Sequence, residues 1–202
     1  GGVLHPLYRD AALCLNDSRI LTRLAAALGI ALPPVPGSDL TPALLARAGG
    51  EGAKVLVVGG GANVAERLQA LYPGLRVDQN VPPMGLRSDA AARAAVAAAV
   101  VASGARYTLL AVGSPQQEMI AAEIARDPAA RGTALCIGAS IDFLVGAQRR
   151  APRSIQRAGL EWAWRLVGEP QRMWRRYLVD GPVAIVAVLR DERRRRRDGS
   201  RG

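Results

Sequence analysis

Residues 54–61, Lys54-Val55-Leu56-Val57-Val58-Gly59-Gly60-Gly61, limit the fold more than any other stretch. A short β-rich run that stops in glycines, with a helical pattern over 63–71 behind it, reads as strand, tight turn and helix. The same grammar recurs. An apolar run at 107–112 leads into Gly113-Ser114-Pro115-Gln116-Gln117-Glu118 and a helix to about residue 125. Another at 134–137 leads into Gly138-Ala139-Ser140-Ile141-Asp142-Phe143. Between them lie a short strand at 75–77 and an Ala-rich helix at 89–102.

Strands alternating with helices predict an α/β, Rossmann-like, largely parallel sheet with helices on both faces. Ligands of such sheets bind beyond the carboxyl ends of the strands. That rule gathers the loops at 59–63, 78–86, 113–118 and 138–143 on one rim. Ahead of the first strand, Asn16-Asp17-Ser18 precedes a helical pattern over 20–28. Ser38 or Asp39 is positioned to cap a following helix with Pro42 in its first turn. Residues 1–13 give little, and the Gly-Gly start suggests that the chain begins mid-domain.

Charge divides the chain in two. Residues 1–147 carry 12 basic and 11 acidic side chains, whereas residues 148–202 carry 15 basic and 6 acidic. The core is therefore near neutral, and the C-terminal segment asks for a polyanionic partner. That segment also holds Trp162, Trp164 and Trp174, a residue type that favours membrane interfaces. The expected organisation is an α/β core at 1–147 and a basic helical appendage at 148–202, with 193–202 a disordered tail. No run of about 20 apolar residues is present, so no spanning helix is expected. Cys14 and Cys136 are far apart without CxxC spacing and read as buried thiols in a reducing compartment.

Each candidate site has a plainer alternative. Gly59 and Gly60 can bring backbone N–H groups to a phosphate at a helix start. With Gly61 and Asp78 they also resemble part of a dinucleotide fingerprint, but Val64 stands where the third glycine belongs. The alternative is a tight turn without a ligand. Gln116 and Gln117 can hydrogen-bond a sugar or nucleotide, while Glu118 equally suits a helix N-terminus by dipole alone. Asp17 and Asp39 are either helix caps or, for Asp17, a general base for a sugar hydroxyl. A single histidine, His5, excludes a His-rich metal site. From the residues alone, an NAD-type oxidoreductase and a basic nucleic-acid-binding module remain open.

Three motifs resemble the WecG/TagA/CpsF family of bacterial glycosyltransferases. Gly113-Ser114-Pro115-Gln116-Gln117-Glu118 is similar to its GSPxQE. Gly138-Ala139-Ser140-Ile141-Asp142-Phe143-Leu144-Val145-Gly146 is similar to its glycine-rich FDFLAG stretch. Arg150-Ala151-Pro152, Gly159-Leu160-Glu161-Trp162, Arg165-Leu166, Glu169-Pro170, Arg172 and Arg175-Arg176-Tyr177-Leu178 resemble its long C-terminal signature. Gly37-Ser38-Asp39-Leu40 looks like its GTDL, and Asn16-Asp17-Ser18 occupies the place of its acidic DG motif, with Ser18 in place of the glycine. The resemblance covers roughly residues 12–180. The family's N-terminal strand has no counterpart before Gly1.

The resemblance implies transfer of an N-acetylmannosamine-type sugar or glucose from a UDP-sugar to a polyprenyl-diphosphate-linked acceptor, with inversion and without a metal or other cofactor. Asp17 would then be the base and Gln117 would share its pocket. Asp39, Gly59, Gly60, Gly113, Ser114, Pro115, Gln116, Glu118 and Asp142 would contact substrate. Arg150, Arg165, Arg172, Arg175 and Arg176 would offset the charge of the leaving diphosphate. Expected partners are the donor, the lipid-linked acceptor and an anionic membrane surface on the cytoplasmic face, with a homo-oligomer allowed and nucleic acid excluded.

Overall fold

The computed structural model of the chain describes residues 4–138, 140–147, 151–152, 154–155, 160–168 and 170–175. Two compact units divide it, Gly1–Arg149 and Arg150–Gly202.

In the first unit four strands form one parallel sheet: β1 (Lys54–Gly59), β2 (Arg76–Asn80), β3 (Tyr107–Ala111) and β4 (Thr133–Cys136). Their order is β2-β1-β3-β4. The chain leaves β1 to one side to build β2, then crosses to the other side for β3 and β4. The direction of winding thus reverses between β1 and β3, where an open α/β sheet leaves a crevice at the carboxyl ends of its strands.

Alternation along the strands builds two cores. Val55, Val57 and Leu109 pack with Leu45 and Ala48 of α3 (Gly37–Gly50), Val64 and Leu68 of α4 (Val64–Leu71), and Ile141 of α7 (Ser140–Leu144). Leu56, Val58 and Leu110 pack with Val96 and Val100 of α5 (Ala90–Ser103), and with Ile120 and Ile124 of α6 (Gln116–Arg126). Successive strand residues thus face opposite layers, as the period-2 geometry requires. The expected α/β architecture with helices on both faces is what forms.

Local details differ from expectation. The helix α3 begins at Gly37, because the Pro36 carbonyl accepts the first turn's N–H bonds from Asp39 and Leu40, at 2.9 and 3.0 Å. Neither Ser38 nor Asp39 is its cap, and Pro42 lies inside the helix. The Thr41 hydroxyl donates to the Gly37 carbonyl at 2.7 Å. Ahead of α2 (Arg19–Ala27), Ser18 is the cap, its hydroxyl accepting from Leu21 N at 3.1 Å. Both cysteines are exposed, not buried. Cys14 lies on the segment outside the sheet and Cys136 ends an edge strand, so neither position has protein on every side.

A charged strut ties α5 to α6. The Arg93 guanidinium is buried, pairs with Glu123 at 2.9 Å, and donates to the Leu86 and Arg87 carbonyls at 2.7 and 3.2 Å. One side chain therefore joins both helices to the loop that follows β2.

Of the second unit, α8 (Glu161–Gly168) and α9 (Pro170–Arg175) are described, and they pack against each other. Leu160, Trp164, Val167 and Trp174 are exposed there. Among the described residues no helix is long and apolar enough to cross a membrane. The stretch 193–202 lies outside the described residues.

Candidate functional site

The rim at the winding reversal is built from two turns. The first follows β1. Gly59 and Gly60 have φ of +89° and +76°. A Cβ on Gly59 would meet Val112 Cγ1 at 2.8 Å and the Ala111 carbonyl oxygen at 3.0 Å. Glycine is therefore required by both the backbone angle and the closeness of β3. Asn63, also left-handed at φ 61°, turns the chain into α4.

The second turn follows β3. Gly113 has φ +81° and the Ser114–Pro115 bond is cis. The turn delivers Gln116, Gln117 and Glu118 into the first turn of α6. Gln117 is buried and bridges two motifs: its Oε1 accepts from Gly138 N at 3.0 Å, and its Nε2 donates to Glu118 Oε1 at 2.9 Å. The Gly113–Glu118 turn is thus fastened to the loop after β4. Glu118 is buried too, and its Oε2 has no hydrogen-bond partner among the described residues, like Gln116 Oε1. Buried acceptors without donors cost free energy unless a bound group satisfies them.

Three further segments reach this side. Gly37 lies against Ser140, where an added Cβ would come within 3.0 Å of the serine Oγ. The first turns of α3, with exposed Asp39, and of α7, with half-buried Asp142, are therefore neighbours. Val35 N, two residues before the start of α3, donates to the Asn16 carbonyl at 2.7 Å, which brings the exposed Asp17, next to Asn16, towards the start of that helix. Asn16 holds the bend: its Oδ1 accepts from Ser18 N at 2.9 Å and its Nδ2 donates to Thr22 at 2.8 Å.

The N-terminal helix α1 (Leu4–Arg9) packs on α6 and adds Tyr8, which the sequence did not single out. Its phenol is hydrogen-bonded to the Ser114 hydroxyl. Partial burial and then the Glu118 carboxylate raise its pKa above 10.0, with the serine bond working the other way. The Cys14 thiol donates to the Tyr8 carbonyl at 3.2 Å. Across from it, protein packed around the sulfur, then the Glu118 carboxylate, push the Cys136 thiol up to about 12, although the residue as a whole is exposed.

Asp78 does not join the rim. It lies within β2, and its carboxylate pairs with Lys54 Nζ, at the start of β1, at 3.1 Å. The acid that gave the dinucleotide reading its support is thus occupied in the middle of the strand. Among the candidate arginines, Arg165 lies in α8 and Arg172 and Arg175 lie in α9, with their side chains outside the description. Arg150 and Arg176 lie outside the described residues. Among the described residues, no three His, Cys, Asp or Glu side chains come together to hold a metal ion.

A parallel sheet wound outward from a central reversal, with glycine turns on both sides of that reversal, defines a Rossmann-like α/β protein, a class whose ligands bind at the strands' carboxyl ends. The model of the glycosyl transferase WecG/TagA/CpsF family matches residues 3–198, nearly the whole chain, and the protein belongs to that family. It is therefore a member of a glycosyltransferase family of cell-surface polysaccharide synthesis, which moves a sugar from a donor to an acceptor. The oxidoreductase and nucleic-acid readings give way to this one.

Proposed function

We propose that the protein transfers a sugar, of the N-acetylmannosamine type or glucose, from a UDP-sugar to a polyprenyl-diphosphate-linked acceptor, with inversion and without a metal. The observation that carries the reading is the family match over residues 3–198, on a fold whose Gly59–Gly61 and Gly113–Glu118 turns flank the winding reversal. The donor diphosphate is assigned to the N–H groups of the Gly59-Gly60 turn, in the manner of phosphates at glycine-rich helix starts. Gln116 Oε1 and Glu118 Oε2, both without donors among the described residues, suit hydroxyl or amide groups of the donor. Ser114, Asp39 and Asp142 complete the polar lining.

In the transfer, the acceptor hydroxyl oxygen forms its bond to the anomeric carbon from the face opposite UDP. The carbon–oxygen bond to UDP breaks, its electron pair leaves on the diphosphate, and the hydroxyl proton passes to the Asp17 carboxylate. Arg150, Arg165, Arg172, Arg175 and Arg176 are assigned to the diphosphate charge that develops.

The chain acts from the cytoplasmic face of a membrane. Basic residues near an anionic surface contribute about 1 kcal/mol each, and the exposed Trp164, Val167 and Trp174 add apolar contact. Flotation with anionic liposomes should recover the full chain and leave a chain lacking 148–202 in solution. A screen of UDP-sugars with a short-chain lipid-diphosphate acceptor tests the activity. One donor should support transfer that persists in EDTA, and the absence of transfer from every UDP-sugar would sink the proposal.

A further inference from the structure

Gln79, near the end of β2, makes three long-range side-chain hydrogen bonds beside the rim. Its Nε2 donates to the Gly59 carbonyl and to the Gly61 carbonyl, both at 3.0 Å. Its Oε1 accepts from Ala65 N, in the first turn of α4, at 3.3 Å. Asn63 provides that helix with no side-chain cap bond, so an amide from the neighbouring strand does the capping.

The direction of these bonds matters more than their number. In a trans peptide the N–H of one residue points opposite to the carbonyl of the residue before it. Ser114–Pro115 is the only cis bond among the described residues. Drawing the Gly59 and Gly61 carbonyls towards β2 therefore turns the Gly60 and Ala62 N–H groups away from β2, to the side on which β3 lies. The Gly60 N–H thereby faces β3 next to the Gly59–Ala111 pair of the ladder, while the Ala62 N–H meets no acceptor among the described residues. Left alone, a triple-glycine turn would sample many arrangements, most of them presenting carbonyl oxygens, which repel a phosphate.

We infer that Gln79 is a positioning residue for the donor's diphosphate: it selects the one arrangement of the 59–62 turn that turns the Gly59 and Gly61 carbonyls aside and leaves the Ala62 N–H open to a phosphate oxygen. This rests on the assignment of that turn to the donor. The chemistry recognised is a nucleoside diphosphate, and Gln79 acts on it through the turn without touching it.

Gln69 supplies an internal control. It braces the opposite end of the same helix and strand, donating to the Pro73 carbonyl at 3.2 Å and accepting from Val77 N at 3.3 Å. The experiment is calorimetric titration of UDP and of uridine into the full chain and into Gln79→Met, Gln79→Glu and Gln69→Met. Methionine keeps the length of Gln79 and removes all three bonds. Glutamate keeps the acceptor for Ala65 N but loses the donors to both carbonyls, and serves equally if the methionine variant fails to fold. Loss of two or three ordinary hydrogen bonds predicts a UDP Kd raised about tenfold or more in either Gln79 variant. Uridine, which has no phosphate, should bind all four proteins alike, and Gln69→Met should bind UDP like the wild type. UDP affinity unchanged in both Gln79 variants overturns the inference while leaving the donor assignment intact. So does an equal loss for UDP in Gln69→Met. A wild-type chain that binds UDP no better than uridine overturns the donor assignment itself.

Discussion

Replacing Gln117 with leucine is the sharpest probe of the clamp between the two motif loops. The side chain is buried and makes two bonds, to Gly138 N at 3.0 Å and to Glu118 Oε1 at 2.9 Å. Leucine fills similar space and makes neither. Gly138 N keeps a weaker partner, the Leu110 carbonyl at 3.3 Å. Glu118 keeps none among the described residues, because its other oxygen already has no donor. Stranding a buried acceptor costs about 1–3 kcal/mol, and more for a charged one, so a net loss of about 2–4 kcal/mol is expected. For a chain of this size that corresponds to a Tm lowered by roughly 5–15 °C. Urea unfolding followed by circular dichroism measures the loss, and an unchanged m-value shows that the folded state is the same. Gln116→Leu is the comparison: its Oε1 has no partner to lose, so stability should hold or rise. A Gln117→Leu protein within about 0.5 kcal/mol of wild type, the range of an ordinary surface change, would refute the clamp.

Two other perturbations follow from the same geometry. Arg93→Met leaves the half-buried Glu123 without its partner and frees the Leu86 and Arg87 carbonyls, so a loss of about 1–3 kcal/mol is expected by denaturation; adding Glu123→Leu should recover part of it, and a double variant no better than the single one contradicts the strut. The Cys136 thiol, held up to about 12 against an ordinary 9.0, should resist alkylation at pH 8 while a simple thiol is consumed, as mass spectrometry would report. The same shift has a sign for stability. The unfolded chain releases this proton above pH 9 and the folded one retains it until about 12, so stability falls across that window. Cys136→Ala should remove that part of the decline.

The sheet was legible because β1 and β3 are buried on both faces and spell themselves as apolar runs, each closed by glycine. Strand β2 was harder: Arg76-Val77-Asp78-Gln79-Asn80 is mostly polar, and only two of its residues fall in the stretch expected to be extended, with 78–80 read as loop. It pairs because β1 offers it an edge, which is a property of the sheet and leaves no mark on the segment's own pattern. Gln79 was invisible for the same reason, since a glutamine that binds a turn 18 residues earlier looks like any surface glutamine. The contribution of α1 was hidden in six residues interrupted by Pro6, too short to form alone and held by packing on α6. Arg93 sat in an Ala-rich helix, where an arginine ordinarily reads as solvated. The glycine turns and the Gly113–Glu118 motif were legible in position. Their fastening through Gln117 was not, because a bond to Gly138 spans 21 residues. The expected burial of the cysteines failed because composition cannot tell an edge strand from a central one.

The most direct measurement compares the wild-type chain with Asp17→Asn in sugar transfer from a UDP-sugar to a short-chain lipid-diphosphate acceptor, with donor binding followed in parallel. If Asp17 takes the acceptor proton, turnover falls by about 10²–10⁴ while donor affinity is kept. Transfer at the wild-type rate by Asp17→Asn would contradict the proposed chemistry and return Asp17 to the loop ahead of α2.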